Sequence, residues 1–160
     1  MAHTKNDLSQ KTRTEMVELL NARLADSVDL QTQVKQAHWN VKGPNFIGLH
    51  KLFDEVNEAV EDYVDEIAER IVQLGGTARG TARVAASTSQ LSEYPLHITA
   101  GQDHVAALSD ALAAYGANVR AAIEVAADIN DADTADLFAE VSRGIDKWLW
   151  FVEAHAQADH

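Results

Sequence analysis

Residues 45–76 read NFIGLHKLFDEVNEAVEDYVDEIAERIVQLGG. Leu49, Leu52, Phe53, Val56, Val60, Tyr63, Ile67, Ile71 and Leu74 recur in it at steps of three and four. That period places them on one face of a helix, facing a bundle. Asn45 suits the N-cap, and Gly75-Gly76 suit the stop. The stretch predicts one long amphipathic helix.

The flanks extend the pattern. Upstream, a helix is expected from about Ser9 to Trp39, with Met16, Leu19, Leu20, Leu24, Val28 and Leu30 at helical spacing. Gly43-Pro44 breaks it. Downstream, residues 75–99 are too long a connection for an adjacent hairpin. Within it, Ser87-Thr88-Ser89-Gln90 reads as a capping box and predicts a short helix. A third long helix follows Thr99, whose spacing to Gln102 is again that of a box, and runs to about Ala127. A fourth starts near Asp131–Asp133 and ends near His155. Two helical hairpins joined by one long crossover make an all-α, ferritin-like four-helix bundle. Residues 1–160 read as a single domain, with about residues 1–8 a flexible N-terminal tail.

Composition agrees. A chain of 160 residues with 46% apolar and 24% charged side chains can bury one core. The absence of Cys excludes disulfides and thiolate metal sites and suits a reducing cytoplasm. The N-terminus MAHTKNDLSQKTR is polar, so no secretory signal is expected, and no apolar run reaches membrane-spanning length. The net charge of −12 repels nucleic acid and attracts cations.

The second helix carries another stripe. His50, Asp54, Asp65 and Glu69 are separated by 4, 11 and 4 residues. At about 100° per residue they share a sector of roughly 100°, nearly opposite the apolar face. Glu58 and Glu61 fall in it too. Imidazole and carboxylate bind borderline and hard divalent metals. A solvated helix face has the same look. Asp54 and Asp65 stand about 16 Å apart along a straight helix, whereas paired catalytic ions lie about 3.5–4 Å apart. One helix therefore cannot close the site, but a second copy can. In a twofold dimer with this helix antiparallel to its mate, His50 faces the partner's Glu69 and Asp54 faces the partner's Asp65. The axis passes between Ala59 and Val60, with Glu58 and Glu61 beside it. Each dimer then has two equivalent sites built from both chains. His38, near the end of the first helix, comes beside His50 and Asp54 and is a third ligand from that chain. Apposed carboxylates repel unless a cation is bound or some are protonated. A metal site inside one bundle would use Glu-x-x-His motifs. No His in this chain has Glu three residues before it.

The segments Ala37-His38-Trp39-Asn40-Val41-Lys42-Gly43-Pro44-Asn45-Phe46, His50-x-x-x-Asp54 and Asp65-x-x-x-Glu69-Arg70, followed by Gln73-Leu74-Gly75-Gly76, closely resemble the Dps family. Tyr94-Pro95-Leu96, Asp133-Thr134-Ala135-Asp136 and Asp146-Lys147-x-Leu149-Trp150-Phe151 match it as well. The resemblance implies a mini-ferritin that assembles as a hollow dodecamer. It implies a ferroxidase centre at each twofold interface, with His38, His50 and Asp54 from one chain and Asp65 and Glu69 from the other. Family members typically oxidise Fe(II) with hydrogen peroxide in preference to oxygen and collect ferric mineral inside the cage. Such a site should hold one Fe(II) firmly and a second weakly. Zinc fits the same ligands.

Other residues carry less. Trp39 is an electron source beside the site or a packing aromatic at the turn. Asp128, Asp131, Asp133, Asp136 and Glu140 cluster at the start of the fourth helix. The resemblance implies acidic threefold pores there, Asp136 foremost, while capping also favours Asp at a helix start. His97, His104 and His155 suit surface or packing roles. Trp148, Trp150 and Phe151 suit a core or subunit contact. Some Dps proteins bind DNA through Lys-rich tails. Here Lys5, Lys11 and Arg13 face an acidic body, so DNA as a partner stays open, and with it association with the nucleoid.

Overall fold

A computed structural model describes residues 1–158 of the chain. It contains five helices: α1 (Gln10–Asn40), α2 (Phe46–Gln73), α3 (Ala82–Thr88), α4 (Gly101–Asp128) and α5 (Ala132–Glu153). α1 pairs with α2 and α4 with α5; α1 also packs on α4, α2 on α5, and the short α3 lies against α1. Among the described residues there is no strand, only an isolated bridge between Lys42 and Ala100. Nor is any helix there long and apolar enough to cross a membrane. This is the expected all-α bundle with a crossover holding one short helix.

Apolar stripes from four helices meet in one core. Met16, Leu20, Leu24 and Leu30 of α1, Phe53, Ile67 and Ile71 of α2, Leu108, Leu112 and Tyr115 of α4, and Phe138 and Ile145 of α5 are all buried. Ser9 caps α1 by accepting from the Thr12 N–H, as Ser at that position should. Gly75 (φ +87°) reverses the chain after α2 in a conformation an L side chain rarely adopts, and the Gly76 N–H closes on the Ile71 carbonyl at 2.9 Å.

Two expected caps are elsewhere. Thr81 caps α3, so Ser87–Gln90 lies at that helix's end rather than its start. The Ser89 hydroxyl is drawn off to Asp29 Oδ2 at 2.6 Å. α4 begins after Ala100 with no side-chain cap: Lys42 bonds across its start, donating to the Thr99 carbonyl at 2.8 Å and accepting from the Gly101 N–H at 3.1 Å, and Gln102 donates to the His155 carbonyl at 3.1 Å. The N-terminal segment makes contacts of its own. The Ala2 N–H donates to the Gly75 carbonyl at 2.7 Å, and Arg13 bridges the carbonyls of Leu8 and Leu74 at 3.2 and 3.1 Å. The unpaired carbonyls at the end of α2 attract these donors.

Buried polar contacts fix the connections. Asp26 is fully buried; it accepts from Arg23 Nε at 2.8 Å and from the Gln90 N–H of the crossover at 2.8 Å. Asp131 caps α5 through the Thr134 N–H (3.0 Å) and takes Arg70 Nη2 of α2 at 2.9 Å. It is 1% exposed, which removes it from the acidic pore set and makes it a structural anchor. Tyr94 and His104 join the crossover to α4, with 2.6 Å between the phenol and His104 Nδ1.

Two outcomes follow. Asp131→Ala strands the buried Arg70 guanidinium and removes a cap, so it is expected to cost about 3–5 kcal/mol, read as a lower denaturation midpoint; a loss under about 1 kcal/mol contradicts the anchoring role. Burial lowers the pKa of His104 from its ordinary 6.5. The unfolded chain therefore binds a proton that the folded chain resists, and the stability this group contributes is present above pH 6.5 and lost as pH falls below it. His104→Gln is expected to lose less thermal stability between pH 7 and pH 5 than the parent.

Candidate metal centre

The last turn of α1 and the first turns of α2 lie side by side, and this brings His38 against His50. Each Nδ1 lies close to the other residue's backbone carbonyl, at 2.6 Å from His38 to His50 and 2.7 Å in return. A carbonyl oxygen only accepts, so both Nδ1 atoms carry the proton and both neutral rings keep their lone pair on Nε2. The rings stack with centroids 3.8 Å apart and planes inclined by 14°. An imidazole lone pair lies in its ring plane. With planes so nearly parallel, the two Nε2 lone pairs run side by side rather than converging on one point.

Asp54 stands one turn beyond His50. Its Oδ1 is 4.0 Å from His38 Nε2 and 2.9 Å from Lys35 Nζ. The Lys35 hydrogen bond holds the Asp54 carboxyl below its ordinary 3.8; desolvation opposes this, and the charges of Lys35, His38 and His50 add to it. The Phe46 ring lies against His50 at 5.0 Å. His38, His50 and Asp54 line one hollow together with Ile47, Lys51, Glu55 and Glu58.

Asp65 and Glu69 are exposed on the same face of α2 as Asp54, further along the helix. The chain does not bring them to the histidines. Among the described residues, no three His, Asp or Glu side chains of one chain gather closely enough to hold an ion. His38, His50 and Asp54 lie together at one end of α2, and Asp65 and Glu69 lie apart from them toward the other. Near that second end, burial first and then Glu140, Asp62, Asp65 and Glu69 raise the pKa of Glu66, a mark of dense negative charge.

The remaining candidates separate. Asp128, Asp133, Asp136 and Glu140 are exposed around the start of α5. His97 is exposed, His104 is the buried partner of Tyr94, and His155 Nδ1 lies 2.9 Å from the Phe151 carbonyl. Trp148 and Phe151 meet edge to face at 5.4 Å, while Trp150 is 61% exposed. Trp39 is 65% exposed, so in the single chain it is not a packing residue of the turn.

Three residues escaped the reading of the sequence. Lys35 is one. Ile47 and Val72 are the others, 59% and 60% exposed at the two ends of the polar face of α2. Both fall within the sector of His50 to Glu69, and the antiparallel register that sets His50 against the partner's Glu69 also sets Ile47 against the partner's Val72. Isolated apolar residues on a polar stripe, at mirrored positions, were the available signal.

The order and pairing of the helices define a ferritin-like helical protein. A family model for the ferritin-like domain matches residues 17–159. The DNA protection during starvation protein of Agrobacterium fabrum is 44% identical over 154 residues, which span 96% of this chain and 95% of that one. Its namesake from Mycolicibacterium smegmatis is 35% identical over 151 residues, spanning 94% and 82%. Among solved structures, a Mycobacterium smegmatis Dps superposes with a TM-score of 0.93 at 34% identity, covering 98% and 96% of the two chains. DpsC from Streptomyces coelicolor gives 0.93 at 28% identity, covering 99% and 92%. The chain belongs to the Dps branch of the ferritin-like family.

The register can be checked directly, since the chain has no cysteine of its own. Ile47→Cys with Val72→Cys is expected to give covalent dimers with a short thiol cross-linker, and either single variant is not. Equal cross-linking of the singles and the double would contradict the antiparallel pairing.

Proposed function

We propose that this protein is a ferroxidase and iron store: it binds Fe(II) at sites shared by two chains, oxidises it, and retains the ferric product inside a dodecameric cage. The observation that carries the reading is the reciprocal His38–His50 lock, which presents two Nε2 lone pairs beside Asp54 while the complementary carboxylates sit elsewhere on the same helix face. Closing the set with the partner's Asp65 and the partner's Glu69 gives two imidazoles and three carboxylates, a donor set suited to a divalent first-row metal and to the harder Fe(III) it becomes. The two separate ring planes match two ions rather than one. Both rings must be neutral to bind, so loading falls in acid.

Iron is substrate here. Two Fe(II) ions give one electron each to hydrogen peroxide, the O–O bond breaks, and with two protons the oxygens leave as water; two Fe(III) remain to hydrolyse. The residues of this chain hold and orient the ions. Exposed Asp133 and Asp136, at the start of α5, are placed to draw cations if the cage brings three copies together there. Zinc competes for the same ligands.

A DNA-condensing shell ranks second. Relatives bear the name DNA protection during starvation protein. Of the lysines and arginines among residues 1–15, however, Arg13 is committed to backbone carbonyls. The chain's net charge is −12, which opposes binding.

The test is to load the purified protein with Fe(II) without oxygen, add hydrogen peroxide and follow ferric absorbance. Rapid oxidation with soluble, co-eluting iron is expected in the parent, with a loss of at least about tenfold in rate in Asp54→Ala. Equal slow oxidation in both overturns the ferroxidase reading.

A further inference from the structure

Lys35 lies on α1 one turn before His38. Its Nζ is 2.9 Å from Asp54 Oδ1, the oxygen that also lies 4.0 Å from His38 Nε2. The same ammonium stands 5.9 Å from the centre of the Trp39 ring, a cation–π distance. The Lys35 side chain is 28% exposed and that of Asp54 43%. A half-exposed pair of this kind adds little to folding. Its effect falls on Asp54: a carboxylate placed to bind metal already holds a cation.

We propose that Lys35 is a built-in counter-ion that limits the shared site to one tightly held divalent ion. The proposal rests on the shared-site reading above. Two neutral imidazoles with Asp54, the partner's Asp65 and the partner's Glu69 carry three negative charges. Lys35 cancels one of these at the ligand it pairs with. A second ion then meets less uncompensated charge than the first, with the ammonium beside one of its ligands. Charges about 4 Å apart near a protein surface interact strongly enough to change an affinity tenfold or more. Without the ammonium, both ions bind more tightly, the second most of all.

Zn(II) is the probe, since it binds without turnover and calorimetry on the intact assembled protein counts ions per chain. The parent is expected to show one tight and one weak Zn(II) per site. Lys35→Met keeps the length of the side chain without its charge and is expected to bind the second Zn(II) about tenfold more tightly. Lys35→Gln should follow Lys35→Met, and Lys35→Arg should follow the parent. Parental or weaker affinities for both ions in Lys35→Met and Lys35→Gln overturn the proposal and leave Lys35 a solvated ion pair. Asp54→Ala separates the two readings: if it binds Zn(II) as the parent does, the shared site itself is wrong, and the role of Lys35 falls with it.

Discussion

The rigidity of α2 governs the rest. A straight helix advances about 1.5 Å per residue, and no side chain on it can fold back to meet another eleven positions away. The core side of α2 is spoken for by Phe53, Ile67 and Ile71, so it cannot bend without opening the bundle. Its polar face must therefore present two half-sets of ligands rather than one complete set. The chemistry proposed here belongs to the assembly, and the mirrored positions of Ile47 and Val72 supply apolar area for the contact where the carboxylates supply none.

Electrostatics are handled differently at each depth. Buried charge is always matched in kind: Arg23 to Asp26, Arg70 to Asp131, each within 2.9 Å. Asp26 also accepts from the Gln90 N–H and so ties α1 to the crossover, while Arg70 and Asp131 tie α2 to the start of α5 and hold the face of α2 in a fixed orientation. On that face the balance shifts to unmatched carboxylate, with Glu58, Glu61, Asp65 and Glu69 all exposed. Lys35 on Asp54 is the exception. The interior is neutral by pairing, whereas the face proposed to join a second copy is left anionic, a surface suited to cations and poorly suited to meeting its own copy without them.

Much of this was legible in the residues. The three-and-four spacing from Leu49 to Leu74 located α2, and the glycines after it located its end, because period and backbone freedom are local properties. The separation of Asp65 and Glu69 from His50 and Asp54 along α2 followed from spacing alone. Helix starts were read less well. Ser87 and Thr99 have the right neighbours for a cap, but Ser87 falls inside α3, where its hydroxyl donates to the Val84 carbonyl, and Lys42 bonds across Thr99 and Gly101, which places the start of α4 at Ala100. Asp131 looked like a surface acid because its partner, Arg70, is distant in sequence. Lys35 was passed over for the same reason: its meaning comes from Asp54, nineteen positions away on another helix.

The crossed bonds between His38 and His50 have a consequence for how such a site withstands substitution. Each ring is steadied by the other residue's backbone and by the other ring's face. Replacing one leaves a carbonyl without its donor and lets the survivor turn, so the second replacement costs less than the first. Two positions coupled in this way respond as one unit, and the effects of replacing them do not add.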